Sequence, residues 1–311
     1  MKKIKTAVIG VGHLGRSHAR IYSETKGIEQ VGVCDILKKQ ADEVARQNNT
    51  RAFYNYRELL GRVEAVSIVV PTKLHYKIAM DFIRHKVHVL IEKPITENLS
   101  QADKLLKAAK KNKVILQVGH IERFNAAVKA LKKIIDKPKF IECHRLGSYQ
   151  PRGTDVGVVL DLMIHDIDII LHLVKSRVKR LDAVGVSVLS PHEDIANARL
   201  LFANKTVCNI TASRVSREIV RKIRIFQKNT YISLDYISQE ALIYRKKGGK
   251  IEKKSINIQK QEPLKAEIQS FLSCVKTKKR PIVSGEDARL ALKTAFDILR
   301  KIHGTKKCRK R

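Results

Sequence analysis

Five short runs rich in Val, Ile and Leu, each tied to a helical segment, restrict this chain more than any other feature. They are "IKTAVIG", "IEQVGVCD", "AVSIVVPT", "VHVLIEKP" and "VILQVGH", all within residues 1–120. Between them lie amphipathic stretches: "VGHLGRSHARIYSET", "ILKKQADEVARQNN" closed by an Asn pair, "KLHYKIAMDFIRH", and "QADKLLKAAKKN" with Ser100 as its cap. Strands that are apolar throughout, rather than alternating, are buried on both faces. Such strands alternating with helices predict a doubly wound parallel sheet.

The pattern changes after residue 118. A helix is expected over "ERFNAAVKALKKII", then a strand "KFIECHRLG", a polar loop and the apolar segment "LDLMIHDIDII". Strand-rich segments then follow one another, ending in a hairpin turned at Gly248-Gly249. They predict an open, mainly antiparallel sheet. Two helices close the chain, the second capped around Ser284, Gly285 and Glu286. The expected division is therefore a Rossmann domain over 1–118 and an α+β domain over 119–311, with the terminal helices able to pack back on the first.

"GVGHLG" places glycines at 10, 12 and 15 between the first strand and the first helix. In that context the motif is a dinucleotide-binding turn: a tight bend, a close backbone approach to pyrophosphate, and a helix N-terminus facing the phosphates. Gly10, Gly12, His13, Leu14 and Gly15 are the candidate contacts. Asp35 ends the second strand, where an acid binds a ribose 2′-hydroxyl and repels a 2′-phosphate. NAD is thus favoured over NADP, although Lys38 and Lys39 soften the preference. Pro71, Thr72 and His75 follow the third of these strands, and Glu92 and Lys93 the fourth, at the carboxyl ends where ligands bind in open α/β sheets. Lys93 there is suited to hold a substrate hydroxyl or to act as a base.

The formal charge of +33 raises the question of nucleic acid. The cations are spread along the whole chain, Trp is absent, and no nucleic-acid-binding motif is present. A solvated lysine surface that attracts anionic substrates is the favoured reading. The five cysteines form no C-x-x-C pair, so they read as reduced thiols. The first residues make sense as a strand rather than a signal peptide, and no run approaches the ~18 apolar residues of a membrane span. A cytoplasmic protein is expected.

Within "DLMIHDIDII", Asp161, His165 and Asp168 fall on one narrow helical face, with His172 behind them. A polar seam in an apolar helix must be satisfied, by an internal network, a metal or a substrate. His165, Asp168 and His172 alone make a poor metal site, because a single helix rarely completes one. Asp166 lies off the seam and is expected near a helix-packing edge with a basic partner.

"AVIGVGHLGRSHAR", "VVPTKLHYKIA", "IEKPIT" and "LDLMIHDIDII", in this order and spacing, resemble the glucose–fructose oxidoreductase/inositol dehydrogenase (Gfo/Idh/MocA) family over essentially the whole chain. The resemblance implies an NAD- or NADP-dependent oxidoreductase acting on a sugar or inositol. Lys93, Asp161 and His165 stand where the family keeps its catalytic residues. "VGHIERFNAAV" and "ASRVSREIVRKIRIFQKNTYISLDY" further resemble a subgroup acting on nucleotide sugars, at the 3-hydroxyl of UDP-N-acetylglucosamine or its uronate. That implies an anionic substrate, with Arg123, Asn125, Arg152 and Arg214 as candidate contacts beside His165. It also implies a homo-oligomer, dimer or tetramer, that covers the open sheet. Either His165 or Lys93 would serve as the base, with the other holding the oxygen, and Asp161 would position the imidazole or the substrate. Competing expectations are a dehydrogenase of an inositol, a simple sugar or a dihydrodiol, and a non-catalytic NAD-binding sensor or nucleic-acid-binding protein.

Overall fold

The computed structural model describes residues 3–132, 134–149 and 156–308. The chain divides into two compact units, one of residues 1–121 with 262–289, the other of 122–261 with 290–311.

The first unit contains a six-stranded, all-parallel sheet. Its strands are β1 (Ile4–Ile9), β2 (Ile28–Cys34), β3 (Arg51–Phe53), β4 (Ala65–Ile68), β5 (His88–Glu92) and β6 (Leu116–Gly119), in the order β3-β2-β1-β4-β5-β6. β4 is buried at every position and β1 at all but Lys5, which is why these strands are apolar throughout. Sequence reading missed β3, whose three residues carry little pattern. Four helices connect the strands: α1 (His13–Glu24), α2 (Lys38–Gln47), α3 (Thr72–Arg84) and α4 (Leu99–Asn112). The cap of α4 is Asn98 rather than Ser100. Its Oδ1 accepts the Gln101 N–H at 3.0 Å, so the helix starts two residues earlier than expected.

The second unit begins with a 3₁₀ turn, Ile121–Phe124, of which all but Ile121 belongs to it. The short helix α5 (Ala126–Leu131) follows, so the single helix expected here is broken at Asn125. Its eight-stranded sheet is ordered β14-β13-β12-β11-β7-β10-β9-β8. The strands are β7 (Phe140–Leu146), β8 (Val178–Val186), β9 (Ile195–Phe202), β10 (Val207–Ser213), β11 (Val220–Gln227), β12 (Thr230–Asp235), β13 (Glu240–Lys247) and β14 (Lys250–Ser255). Every pairing is antiparallel except β7 with β10. β7 alternates strictly between buried and half-buried residues, the mark of a sheet with one covered face. The covered face meets Met163, Ile164, Ile167 and Ile170. On the other face Phe140, Phe226, Tyr231 and Tyr244 stack across four strands at 5.6, 4.9 and 5.4 Å. The Gly248-Gly249 hairpin has φ of +54° and +81°, as a two-residue primed turn requires.

The segment "VLDLM" opens as a π-helical turn, Val159–Met163, and continues as α6 (Ile164–Val174). Two further helices follow, α7 (Pro263–Thr277) and α8 (Gly285–Cys308). Ser284 and Asp287 cap α8 reciprocally, Ser284 Oγ accepting the Asp287 N–H and Asp287 Oδ2 the Ser284 N–H. The second domain, expected as 119–311, therefore starts at Glu122 and lacks 262–289, because α7 packs Leu264, Ile268 and Phe271 into the core of the first unit.

Asp166 sits at no edge. It is fully buried and receives two hydrogen bonds from Arg145, at 2.8 and 3.1 Å, while Arg145 also donates to Glu122 at 3.0 Å. Burial works against the charge of Arg145; the two carboxylates outweigh it and hold the guanidinium protonated. Replacing Arg145 by Met strands Asp166 without a partner. A loss of about 3–5 kcal/mol is expected in chemical denaturation, recovered only in part when Asp166 is changed to Leu as well, because buried Glu122 still lacks its cation.

Candidate active site

In the first unit the glycines do three different things. Gly10 bends the chain at φ +85°, and a Cβ on it would lie 2.3 Å from the Val69 carbonyl oxygen. A Cβ on Gly15 would lie 2.0 Å from the Gly10 carbonyl, so α1 starts against the turn. A Cβ on Gly12 would meet no heavy atom within 4 Å. That open position, at the N-terminus of a helix with no side-chain cap, is where a pyrophosphate approaches backbone N–H groups. His13 and Leu14 are exposed in the same turn.

Asp35 closes this cradle. Its carboxylate accepts the Val11 and Leu37 N–H groups and Gln40 Nε2, each at 2.9 Å. Beside it Ile36 and Leu37 are 83% and 60% exposed, an apolar step that sequence reading passed over. Two large apolar residues between Asp35 and the start of α2 were the available signal. Lys38 lies over the Tyr54 ring at 5.3 Å. The residues present fit a dinucleotide.

At the neighbouring strand ends, Pro71 is exposed and Thr72 half-buried at the start of α3. His75, expected as a cofactor contact, has both ring nitrogens engaged by the protein itself. It is buried, and its ring nitrogens lie 2.9 Å from the Pro94 carbonyl and 2.8 Å from that of Val70, tying the two loops together. Burial holds its pKa below the ordinary histidine value despite those carbonyls. Glu92 and Lys93 are half-buried. The Lys93 N–H donates to Glu92 Oε2 at 3.3 Å, and His18 Nε2 lies 3.4 Å from Glu92 Oε1.

In the second unit the polar seam separates into two kinds of residue. Asp161 and His165 are half-buried. Asp168 is sealed, held by Arg123 through bonds of 2.6 and 2.8 Å, which removes it from any metal-ligand role. The π turn also takes Asp161 off the regular 3.6-residue spacing assumed for the seam. Three of the expected substrate contacts, Arg123, Asn125 and Arg214, are engaged by partners within the protein. Arg123 is buried against Asp168. Asn125 caps α5, accepting the Ala127 N–H at 3.0 Å and donating to the Tyr236 carbonyl at 3.0 Å. Arg214 is buried, donating to Asp194, Ser190 Oγ and the Val156 carbonyl. Burial opposes the charge of Asp194, and Ser190, the Leu189 N–H and Arg214 together hold its carboxyl well below the usual range. Arg152 lies outside the described residues. Asp161 borders a cavity of about 210 Å³ shared with Ser148, Arg145, Arg214, Ile219 and Arg221. Of these arginines, Arg221 is exposed.

An uncapped helix start behind an open glycine, next to a strand-end carboxylate, serves dinucleotides, and the class it defines is the NAD-binding oxidoreductases. Residues 4–120 match the oxidoreductase family with an NAD-binding Rossmann fold, and residues 134–231 match the GFO/IDH/MocA C-terminal domain. The chain belongs to the GFO/IDH/MocA oxidoreductase family. It is 36% identical over 305 residues to UDP-N-acetylglucosamine 3-dehydrogenase of Acidithiobacillus ferrooxidans, covering 96% of this chain and 97% of the relative. A solved structure of that enzyme superposes with a TM-score of 0.93, covering 98% of this chain and 99% of the other. The chain is also 27% identical to the NAD⁺-dependent scyllo-inositol 2-dehydrogenase of Bacillus subtilis, over 94% of this chain and 92% of the relative. An oxidoreductase from Agrobacterium radiobacter in complex with NAD⁺, L-tartaric acid and magnesium shares the fold, with a TM-score of 0.87 at 18% identity over 96% of each chain.

Asp35→Ala should weaken NAD⁺ binding about 10- to 100-fold, the worth of one charge-assisted hydrogen bond, while NADP⁺ binding falls less. Fluorescence titration of both nucleotides checks this, and an equal loss for the two would remove Asp35 from ribose recognition.

Proposed function

We propose that this oxidoreductase is an NAD-dependent dehydrogenase of a UDP-N-acetylhexosamine, acting at the sugar's 3-hydroxyl. The observation that carries the reading is the full-length relationship to a UDP-N-acetylglucosamine 3-dehydrogenase. The arginine-walled cavity beside Asp161 supports it, since exposed Arg221 suits a diphosphate. Basic charge across the chain would raise the local concentration of such a substrate.

When bound, the nicotinamide supplies a hydride acceptor. The Gly10–Gly15 turn seats the pyrophosphate against the α1 N–H groups, Asp35 takes the ribose hydroxyls, and Ile36 and Leu37 offer an apolar face to adenine. Pro71, Thr72, Glu92 and Lys93 border the nicotinamide side. The hydroxyl that loses hydride must also lose its proton. His165 takes it, imidazole being the side chain that ordinarily exchanges protons near neutral pH, while the Lys93 ammonium holds the oxygen as negative charge develops. The reverse assignment uses the same two groups. Asp161 orients the imidazole or the sugar. The aromatic row on the open face of the second sheet pairs with a second copy. The four buried free thiols, Cys34, Cys143, Cys208 and Cys274, fit a reducing cytoplasm. Among the described residues no helix is long and apolar enough to cross a membrane.

The test is reduced-nicotinamide absorbance with NAD⁺ or NADP⁺ against a panel of UDP-sugars and inositols. UDP-N-acetylglucosamine with NAD⁺ should lead the panel; turnover of inositols alone would overturn the substrate. With the accepted substrate, His165→Ala and Lys93→Ala should each cut kcat by roughly 10²–10⁴-fold and leave NAD⁺ affinity unchanged. Wild-type turnover in either variant removes that residue from the chemistry. Phe226→Asp combined with Tyr231→Lys should convert the oligomer to monomer in sedimentation velocity.

A further inference from the structure

One face of the first sheet carries a buried polar row between α1 and α7. Ser67, Leu90 and Gln117 are register neighbours across β4, β5 and β6, and one pleat further on Glu92 pairs with Gly119. Tyr22 from α1 shares a hydrogen bond of 2.9 Å with Ser67 on this row. Gln117 Nε2 donates to the backbone carbonyl of Glu267 at 3.2 Å, which fixes that residue of α7 over β6. The Glu92 carboxylate lies on the same side, since a Cβ on Gly119 would come within 2.6 Å of it.

Glu267 is fully buried, and among the described residues no N–H or O–H donor reaches either of its carboxyl oxygens. Among the described residues, contacts place three ionisable side chains along this row: Glu92 from β5, and Tyr22 and His18 from α1, against Ser67 and Glu92 respectively. Lys265, on its own helix, is 44% exposed and pairs with Glu24. Burial, with the neighbouring Glu92 charge adding to it, pushes the Glu267 carboxyl well above the usual range. A carboxylate here would have acceptors and no donor. A carboxylic acid needs only an acceptor, and Glu92 is one. Glu92 keeps partial access to water, a His18 nitrogen at 3.4 Å and the Lys93 N–H, so it is the member of the pair suited to carry the charge.

We propose that Glu267 is a positioning residue for the Glu92–Lys93 strand end, acting as an uncharged acid that donates to the Glu92 carboxylate. Glu92 in turn receives the Lys93 N–H, so the bond sets the backbone from which the lysine side chain projects. The inference rests on the reading of Lys93 as a residue of the active site.

Three variants and one spectroscopic signature test it. Difference infrared spectra of wild type against Glu267→Gln at neutral pH should show a protonated-carboxyl C=O band present only in wild type. Absence of that band overturns the proposal. The band needs no substrate, so it reads out even if the nucleotide-sugar assignment fails. With an accepted substrate, Glu267→Gln, which keeps a neutral donor, should hold kcat within about twofold and keep the wild-type pH profile. Glu267→Leu should lose about 100-fold in kcat, the cost of a misplaced reacting group, with the KM for NAD⁺ unchanged. Equal losses in the Gln and Leu variants would overturn the donor role, as would full activity in Glu267→Leu. Glu92→Gln in the wild-type background should shift the infrared band, because the acceptor has changed; an unshifted band separates Glu267 from Glu92. Stability provides a further check. The folded protein keeps a proton that the unfolded chain releases, so wild type should lose stability as pH rises above the ordinary carboxyl range, and Glu267→Gln should lose less.

Discussion

Two buried arginine–carboxylate pairs decide how the second unit presents its chemistry. Arg145 holds Asp166 and Arg123 holds Asp168, each through paired bonds in places closed to water. An unpaired charge at either place would be costly, so both pairs have to form for α6 to pack. Once they do, the apolar residues of α6 are turned onto the sheet, and Asp161, His165 and His172 are the polar residues of the segment left half-buried. The seam is therefore mixed. Part of it is the helix's own anchorage, and part is available to a ligand.

In the first unit the corresponding constraint is steric. Gly10 against Val69 and Gly15 against Gly10 leave no room for a Cβ, and this contact brings the start of α1 onto the end of β1. The same few residues make the turn, aim the helix N-terminus and place Val11 where its N–H meets Asp35. Fold and cofactor cradle are one piece of backbone here. His75 does similar work nearby, joining the loops after β4 and β5 through their carbonyls.

What could be read from the sequence follows the range of the interactions involved. The parallel sheet, the glycine turn, Asp35 and the Gly248-Gly249 hairpin are written in neighbouring residues, and both sheet types were legible. Arg123, Arg214 and Asn125 resembled ligand contacts because their partners lie far away in the chain: Arg123 meets Asp168 45 positions on, and Asn125 meets Tyr236 111 positions on. No local pattern announces such pairs. The π turn at Val159–Met163 likewise leaves no mark in residue type. Glu267 was partly legible, since it interrupts the apolar stripe of Leu264, Ile268 and Phe271 on α7. Its meaning depended on which sheet that stripe covers.

That α7 belongs to the first unit has a consequence for how the molecule is made. The ribosome releases β1 to β6 first, but Leu264, Ile268, Phe271 and Leu272, which help cover their face, emerge only after another 140 residues, 122–261, have passed. The nascent Rossmann sheet therefore waits with one apolar side incompletely covered, while the whole of the inserted segment is synthesised. A gene cut at the apparent domain boundary near residue 120 would strand it in that state permanently.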